Sequence, residues 1–294
     1  MPLPPLMKLL DPRPADEARA RPIADAANIP ADELGNRMHE LGPRGSARAL
    51  GKGLVQVCGP EPWASRAVEV LAAAGREFEV AAAWTFVETC QGLSNLGPEG
   101  PELMSGRLWE PNPFLVEDAA RLEPGRAVDF ACGTGRDGVA LTATGWQVLA
   151  IDHLSDALDR ARDLGRRYLA PEDAARIHWL EADLESEAGG HRTAGPPGAM
   201  SPPMEAANAE LISMFWYLNR PLIQACRNLL SPGGSLVIET FTAVHRETFG
   251  KPRREHFALN PGELPDLVEG MKIEFSEEAW HGDRHSARLW ARRS

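Results

Sequence analysis

Cysteine is scarce in this chain. Cys58, Cys90, Cys132 and Cys226 are the whole complement, and no two of them form a C-x-x-C step. That excludes a disulfide framework and a zinc ribbon, and it suits a reducing compartment. The eight histidines are scattered, and no metal-binding constellation is read from them. No apolar run approaches the ~18 residues of a membrane-spanning helix. The first residues carry Pro2, Pro4 and Pro5 and only a short apolar patch from Met7 to Leu10, without a signal-peptide core, so a cytoplasmic location is expected. Positive charge is also short: 31 Lys and Arg stand against 42 Asp and Glu, a net charge of -11. Such a balance argues against a broad phosphate-binding surface, and hence against nucleic acid as a partner. A small-molecule substrate is expected, and the oligomeric state is left open.

What the chain does have is centred on Val128–Gly138, VDFACGTGRDG. An apolar run ends in Val128-Asp129-Phe130-Ala131. Cys132, Gly133, Thr134 and Gly135 then form a tight turn, and a helix starts at Arg136. Strand, glycine turn and helix in this order present backbone N–H groups and a helix N-terminus at the carboxyl end of a strand, which suits a nucleotide-like ligand. A Cβ at Gly133 or Gly135 is expected to hold that ligand away. Two ligand classes fit. Gly133-x-Gly135-x-x-Gly138 satisfies the dinucleotide pattern and allows an NAD-binding oxidoreductase. Asp129 inside the strand points elsewhere, because an acid is a good neighbour for a cation and a poor one for a pyrophosphate. A glycine turn with no ligand is the third option.

Further along, Gln147–Asp152 reads as a second strand ending in an acid able to take both ribose hydroxyls of either cofactor. Ile177–Asp183 reads as a third strand, Glu210–Phe215 as a fourth, and Leu229–Phe241 as a turn and fifth. Asp129-x-Ala131-x-Gly133-x-Gly135 resembles motif I of the class I S-adenosylmethionine (SAM) methyltransferases, with Ala131 where that family usually has Gly. The resemblance covers roughly residues 108–294. It implies SAM as cofactor, with Asp129, Ala131, Gly133 and Gly135 around its methionine end, Asp152 on the ribose and Asp183 on the adenine amino group. The order of elements and the Leu230–Phe241 stretch are similar to small-molecule methyltransferases of the tellurite-resistance type, which implies methyl transfer to a small acceptor.

The catalytic group is not legible. Tyr217 and Arg220, beyond the fourth strand, are candidates for holding an acceptor, or else Tyr217 packs and Arg220 is solvated. His245 lies in a segment, Thr242–Phe257, whose local excess of Arg, Lys and His reads as a cap over a polar or anionic acceptor, or as a solvated loop. Leu108–Glu117 is expected to be a lid over the cofactor or a packing helix. Met271–Glu278 and His285–Arg292 read as a closing antiparallel pair, and Glu185–Asn208, rich in Gly and Pro, reads as a disordered or mobile insertion.

Residues 1–83 alternate short strands and helices, with Ala31–Leu41 expected as a helix. Leu10-Asp11-Pro12-Arg13, Asn28-Ile29-Pro30 and Val57-Cys58 resemble a rhodanese-like domain. That resemblance implies a persulfide-forming Cys58, a thiol whose pKa a helix N-terminus could lower. The loop argues against sulfur transfer, because Pro60 and Pro62 remove N–H donors and Glu61 adds negative charge. The expected organisation is therefore α/β throughout. A small rhodanese-like domain occupies 1–83 and a connector 84–107. A doubly wound, Rossmann-like methyltransferase domain, ending in an antiparallel strand, occupies 108–294.

Overall fold

The computed structural model describes residues 8–23, 26–41, 55–76, 79–80, 106–185 and 204–294. The chain divides into two compact units, Met1–Glu110 and Pro111–Ser294. Nearly all of the expected connector, Cys90 with it, and residues 186–203 of the expected insertion lie outside the described residues.

The first unit runs β1 (Lys8–Asp11), α1 (Ala15–Ala20), β2 (Ala26–Asn28), β3 (Val55–Val57), α2 (Trp63–Ala73) and β4 (Glu79–Val80). Its strands pair in parallel in the order β2-β1-β3-β4. Parallel neighbours need a crossover, and α2 supplies one between β3 and β4, burying Ala64, Ala67 and Leu71. Leu10, Ile29, Leu34, Leu41, Val57 and Leu108 complete the core. Asp11 and Arg13 are buried with it, and the charges are tolerable because they are paired. Arg13 Nε and Nη2 donate to the two Asp11 carboxylate oxygens at 2.9 and 2.7 Å. The helix expected over Ala31–Leu41 is instead a series of turns ending in a 3-10 turn at Met38–Glu40. Gly35 and Asn36 are poor helix formers, and hydrogen bonds such as Asn36 N–H to Glu33 C=O span three residues. Leu34 and Leu41 still reach the core, so the apolar spacing was meaningful although the backbone is not an α-helix.

The second unit begins with α3 (Pro113–Ala119), β5 (Arg126–Phe130), α4 (Arg136–Ala143), β6 (Gln147–Asp152), α5 (Ser155–Tyr168), α6 (Pro171–Ala174) and β7 (Ile177–Glu181). It continues through β8 (Ala209–Phe215), α7 (Arg220–Leu229), β9 (Leu230–Phe241), α8 (Ala243–Phe249), α9 (Glu263–Asp266), β10 (Lys272–His281) and β11 (Arg284–Arg292). The sheet order is β10-β11-β9-β8-β5-β6-β7. From β9 to β7 the strands are parallel; β11 and β10 close the sheet antiparallel. Val128, Phe130, Ile151, Ile212, Met214 and Ile238 form the centre of the core. Such near-continuous apolar strands are what a sheet covered on both faces requires.

One local expectation shifts: β7 ends at Glu181, which leaves Asp183 two residues beyond the strand. Ser155 is the first residue of α5. Asp152 Oδ1 accepts the Leu154 N–H at 3.0 Å, so the acid at the strand end starts the helix itself.

Candidate cofactor and active site

The strand order creates the site. From β5 the chain steps outward through β6 and β7, then returns to the other side of β5 with β8 and β9. The reversal opens a crevice beyond the carboxyl ends of β5 and β8, the position at which open α/β sheets bind ligands.

The glycine turn fills one side of that crevice. Ala131, Gly133 and Gly135 all have left-handed backbone, with φ of +56°, +54° and +76°. Glycine takes that conformation freely and alanine does not, so Ala131 carries strain of ~1 kcal/mol. Cys132 N–H donates to Ile151 C=O, and Gly133 N–H donates to Asp152 Oδ2 at 2.8 Å, pinning the turn to β6. The two glycines then part company. A Cβ on Gly133 would meet nothing within 4 Å, whereas one on Gly135 would lie 2.6 Å from the Trp179 ring and 2.7 Å from Ala161 Cβ. Gly133 faces open space, as a ligand-approach position should. Gly135 makes room for an indole, which is a packing reason and not the one expected. Gly138 is buried over β6, with Val148 Cγ1 3.5 Å from its ideal Cβ.

Three acids stand at the ends of successive strands. Asp129 is buried, and its Oδ1 accepts from Ser213 Oγ on β8 at 3.0 Å. Its Oδ2 is buried without a hydrogen-bond partner. Burial, then the nearby Asp137, hold the Asp129 carboxyl well above the usual carboxylate range; the Ser213 hydroxyl and the Gly138 N–H oppose the shift. Asp137 lies in the first turn of α4 and accepts the Asn112 N–H at 2.6 Å. Burial pushes its carboxyl up to about 6, against the pull of that N–H and of Arg136, with Glu239 adding to the rise. Among the described residues, neither Asp129 nor Asp137 forms an ion pair. Asp152 is buried, and each oxygen accepts one backbone N–H, leaving further lone pairs on each. Asp183 is exposed, with Oδ1 accepting the Glu185 N–H at 2.9 Å.

The other candidates lie in different surroundings. Arg220 Nε and Nη2 bond both carboxylate oxygens of Glu263, and its Nη1 and Nη2 also donate to His256 and Ala258 C=O, so its donors are engaged in holding the chain. That pairing raises the guanidinium pKa and lowers the Glu263 carboxyl. Tyr217 OH accepts from Asn219 Nδ2 at 3.2 Å, and burial pushes the phenol up to about 12, a poor base at neutral pH. His245 is buried, with its ring stacked 4.5 Å from Phe241 and tilted against Phe249 at 4.8 Å. Burial first, then Arg284, lower its pKa, and its Nδ1 accepts the His285 N–H at 3.3 Å. The ring is therefore neutral at pH 7 with its proton on Nε2, a donor and not a base. In the first unit, Cys58 is buried and its Sγ donates to Leu10 C=O. Burial, followed by Asp11, pushes the thiol up to about 12, opposite to the lowering a helix N-terminus was expected to give. Two prolines before α2 leave few N–H groups to stabilise a thiolate.

Sequence reasoning missed several members of this site. Asn112 links Asp137 to β9, because its Nδ2 donates to Glu239 Oε2 at 2.8 Å. Glu239 is buried and also accepts from Ser286 and Arg288. Polar residues inside apolar strands, Ser213 in LISMF and Glu239 in VIETF, were the available signal. The His281-x-x-x-His285 spacing was also overlooked; it falls on the β10–β11 hairpin, where Trp280, not His281, is paired with His285.

The model of the tellurite resistance protein TehB matches residues 113–170. That segment holds α3, β5, the glycine turn, β6 and α5. No curated protein matches the sequence. Among solved structures, TehB from Haemophilus influenzae is similar at 18% identity and a TM-score of 0.45, covering 61% of each chain. The N-methyltransferase NodS from Bradyrhizobium japonicum is similar at 18% identity and a TM-score of 0.42, covering 62% of this chain and 97% of that one. Magnesium protoporphyrin IX methyltransferase from Synechocystis, with bound SAM, is similar at 15% identity and a TM-score of 0.43, covering 61% and 74%. The match thus spans about three fifths of the TehB chain.

Proposed function

We propose that the second unit is a SAM-dependent methyltransferase acting on a small-molecule acceptor. The observation that carries this reading is the pair of carboxyls at the base of the glycine turn. Asp129 is buried, Asp137 stands close enough to raise its pKa, and among the described residues neither acid forms an ion pair. A pyrophosphate on the N-terminus of α4 would face Asp137 in the first turn, so the acids disfavour the dinucleotide alternative. An ammonium and a sulfonium would be welcomed there. The residues present fit the cofactor in two further respects: Gly133 leaves open space, and Asp152 keeps lone pairs for ribose hydroxyls.

The strand order gives the cofactor a direction. Asp183 beyond β7 would hold the adenine, Asp152 on β6 the ribose, and the turn after β5 the methionine, so the methyl group would point toward β8 and β9. SAM supplies an electrophilic methyl carbon and a neutral thioether leaving group. The protein's work is then alignment and exclusion of water. Asn112 would hold the α3 entry segment beside the turn, and Ser213 would fix the Asp129 carboxyl. His245, a neutral donor, would help hold the acceptor.

The first unit reads as a rhodanese-like module without sulfurtransferase chemistry, a reading supported by the buried Asp11–Arg13 pair and by Cys58 at the end of β3. Titration calorimetry with SAM and with NAD tests the central claim: SAM should bind and NAD should not, and NAD binding without SAM binding would overturn it. Incubating the protein and methyl-labelled SAM with a metabolite pool then identifies the acceptor.

A further inference from the structure

The far wall of the crevice has a character of its own. Trp216, the residue after β8, has a φ of +59°, a conformation rare for a bulky side chain. Its N–H is tied to Glu239 C=O at 2.8 Å, so the surrounding strands hold it there. Strain of this kind, imposed by its neighbours, tends to mark functional positions. The indole lies 4.7 Å from Phe241, which stacks on His245. The Arg284 guanidinium sits over the indole face, 4.7 Å from its centroid. All but His245 are partly exposed.

Arg284 is the informative member. All four arginines on α5 are matched to an aspartate three or four residues away. Arg284 forms no ion pair with any described carboxylate, its sequence neighbour Asp283 included. It is held by an aromatic face, which fixes the position of the guanidinium plane without consuming its N–H donors. Arg246, Lys251, Arg253 and Arg254 of the adjoining segment likewise lack ion pairs with described residues. With Arg284, these cations outnumber the acids of the same stretch, Glu247, Glu255 and Asp283, so the local balance is positive in a chain of net charge -11.

We propose that Trp216, Phe241, His245 and Arg284 form the acceptor subsite, and that the acceptor is a flat aromatic acid. Its ring lies against Trp216 and Phe241, both partly exposed, and its carboxylate takes the fork of Arg284. A small oxyanion would leave the rings unused, and a neutral ring would leave the guanidinium unused. The naming of this subsite as the acceptor's rests on the reading of the neighbouring turn as the cofactor site.

Benzoate is the probe, titrated calorimetrically into the full chain, with acetate and benzyl alcohol as the two half-ligands. Benzoate should bind at least about tenfold more tightly than either, the range of one charge-assisted hydrogen bond or one stacked ring. Arg284→Gln should weaken benzoate about tenfold and leave benzyl alcohol unchanged. Trp216→Leu should weaken both. Acetate or benzyl alcohol binding as tightly as benzoate would overturn the inference. So would an Arg284→Gln protein that keeps both its circular dichroism spectrum and its benzoate affinity. SAM is titrated into the same samples: SAM binding with no benzoate binding defeats this inference alone, whereas benzoate binding with no SAM binding defeats the methyltransferase reading.

Discussion

Replacing Asp137 by Asn should make the protein more stable and bind its cofactor less well. The Asp137 carboxyl titrates at about 6 in the fold against an ordinary 3.8. At ~1.4 kcal/mol per unit, its ionisation costs the folded state roughly 3 kcal/mol, reduced to about 1–2 kcal/mol because the group keeps some solvent access. The sign follows from proton counting. Below about pH 4 both the folded and unfolded chains are protonated at this group, and no cost is felt. Between about pH 4 and 6 the fold holds the proton longer than the unfolded chain, so stability falls as pH rises; above that it stays at the lower level. Asn removes the charge and keeps an amide oxygen for the Asn112 N–H. The variant should therefore match the parent near pH 4 and exceed it above pH 6.5, by ~2–6 °C in the second unit's thermal transition. Its SAM affinity should fall about tenfold, since one of two acids facing the cation is gone. Differential scanning calorimetry at pH 4.5 and 7.5, with SAM titrations beside it, measures both. An Asp137→Asn protein that is less stable at pH 7.5, or whose gain is equal at the two pH values, would refute the electrostatic account.

The two glycines of the turn should respond differently to alanine. Gly135→Ala drives a Cβ into Trp179 in a left-handed backbone and should cost ~2–4 kcal/mol in urea unfolding, whereas Gly133→Ala should cost ~1 kcal/mol and act mainly on SAM affinity. Cys58, with its thiol near 12, should resist iodoacetamide at pH 8 in the native protein and react once the first unit is unfolded; rapid native labelling would contradict the buried thiol. Arg220→Ala should destabilise by ~1–2 kcal/mol through loss of the Glu263 pair, with kcat for any identified acceptor changed less than the thermal midpoint implies.

The chain's own periodicities determined much of this protein. Apolar runs were enough to locate β5, β6, β8 and β9, because a strand buried on both faces must be apolar along its length. The glycine turn was legible for a related reason: only certain residues adopt its backbone, and three acids recur at strand ends. Side-chain partnership was not legible, because it is decided by residues far apart in sequence that the strand order brings together. Arg220 looked available as a ligand-holding cation until the fold set Glu263 beside it. Asp137 drew no notice as one acid in the first turn of a helix, and only the fold sets Asn112, Asp129 and Glu239 around it. Gly135 looked like a ligand glycine until Trp179 crossed from β7. Trp216 and Arg284 are separated by most of the last quarter of the chain, and only the return of β11 alongside β9 makes them one surface. Local sequence sets which backbone each segment prefers, and the strand order sets which charges and rings must share a low-dielectric space; the candidate chemistry lives in the second.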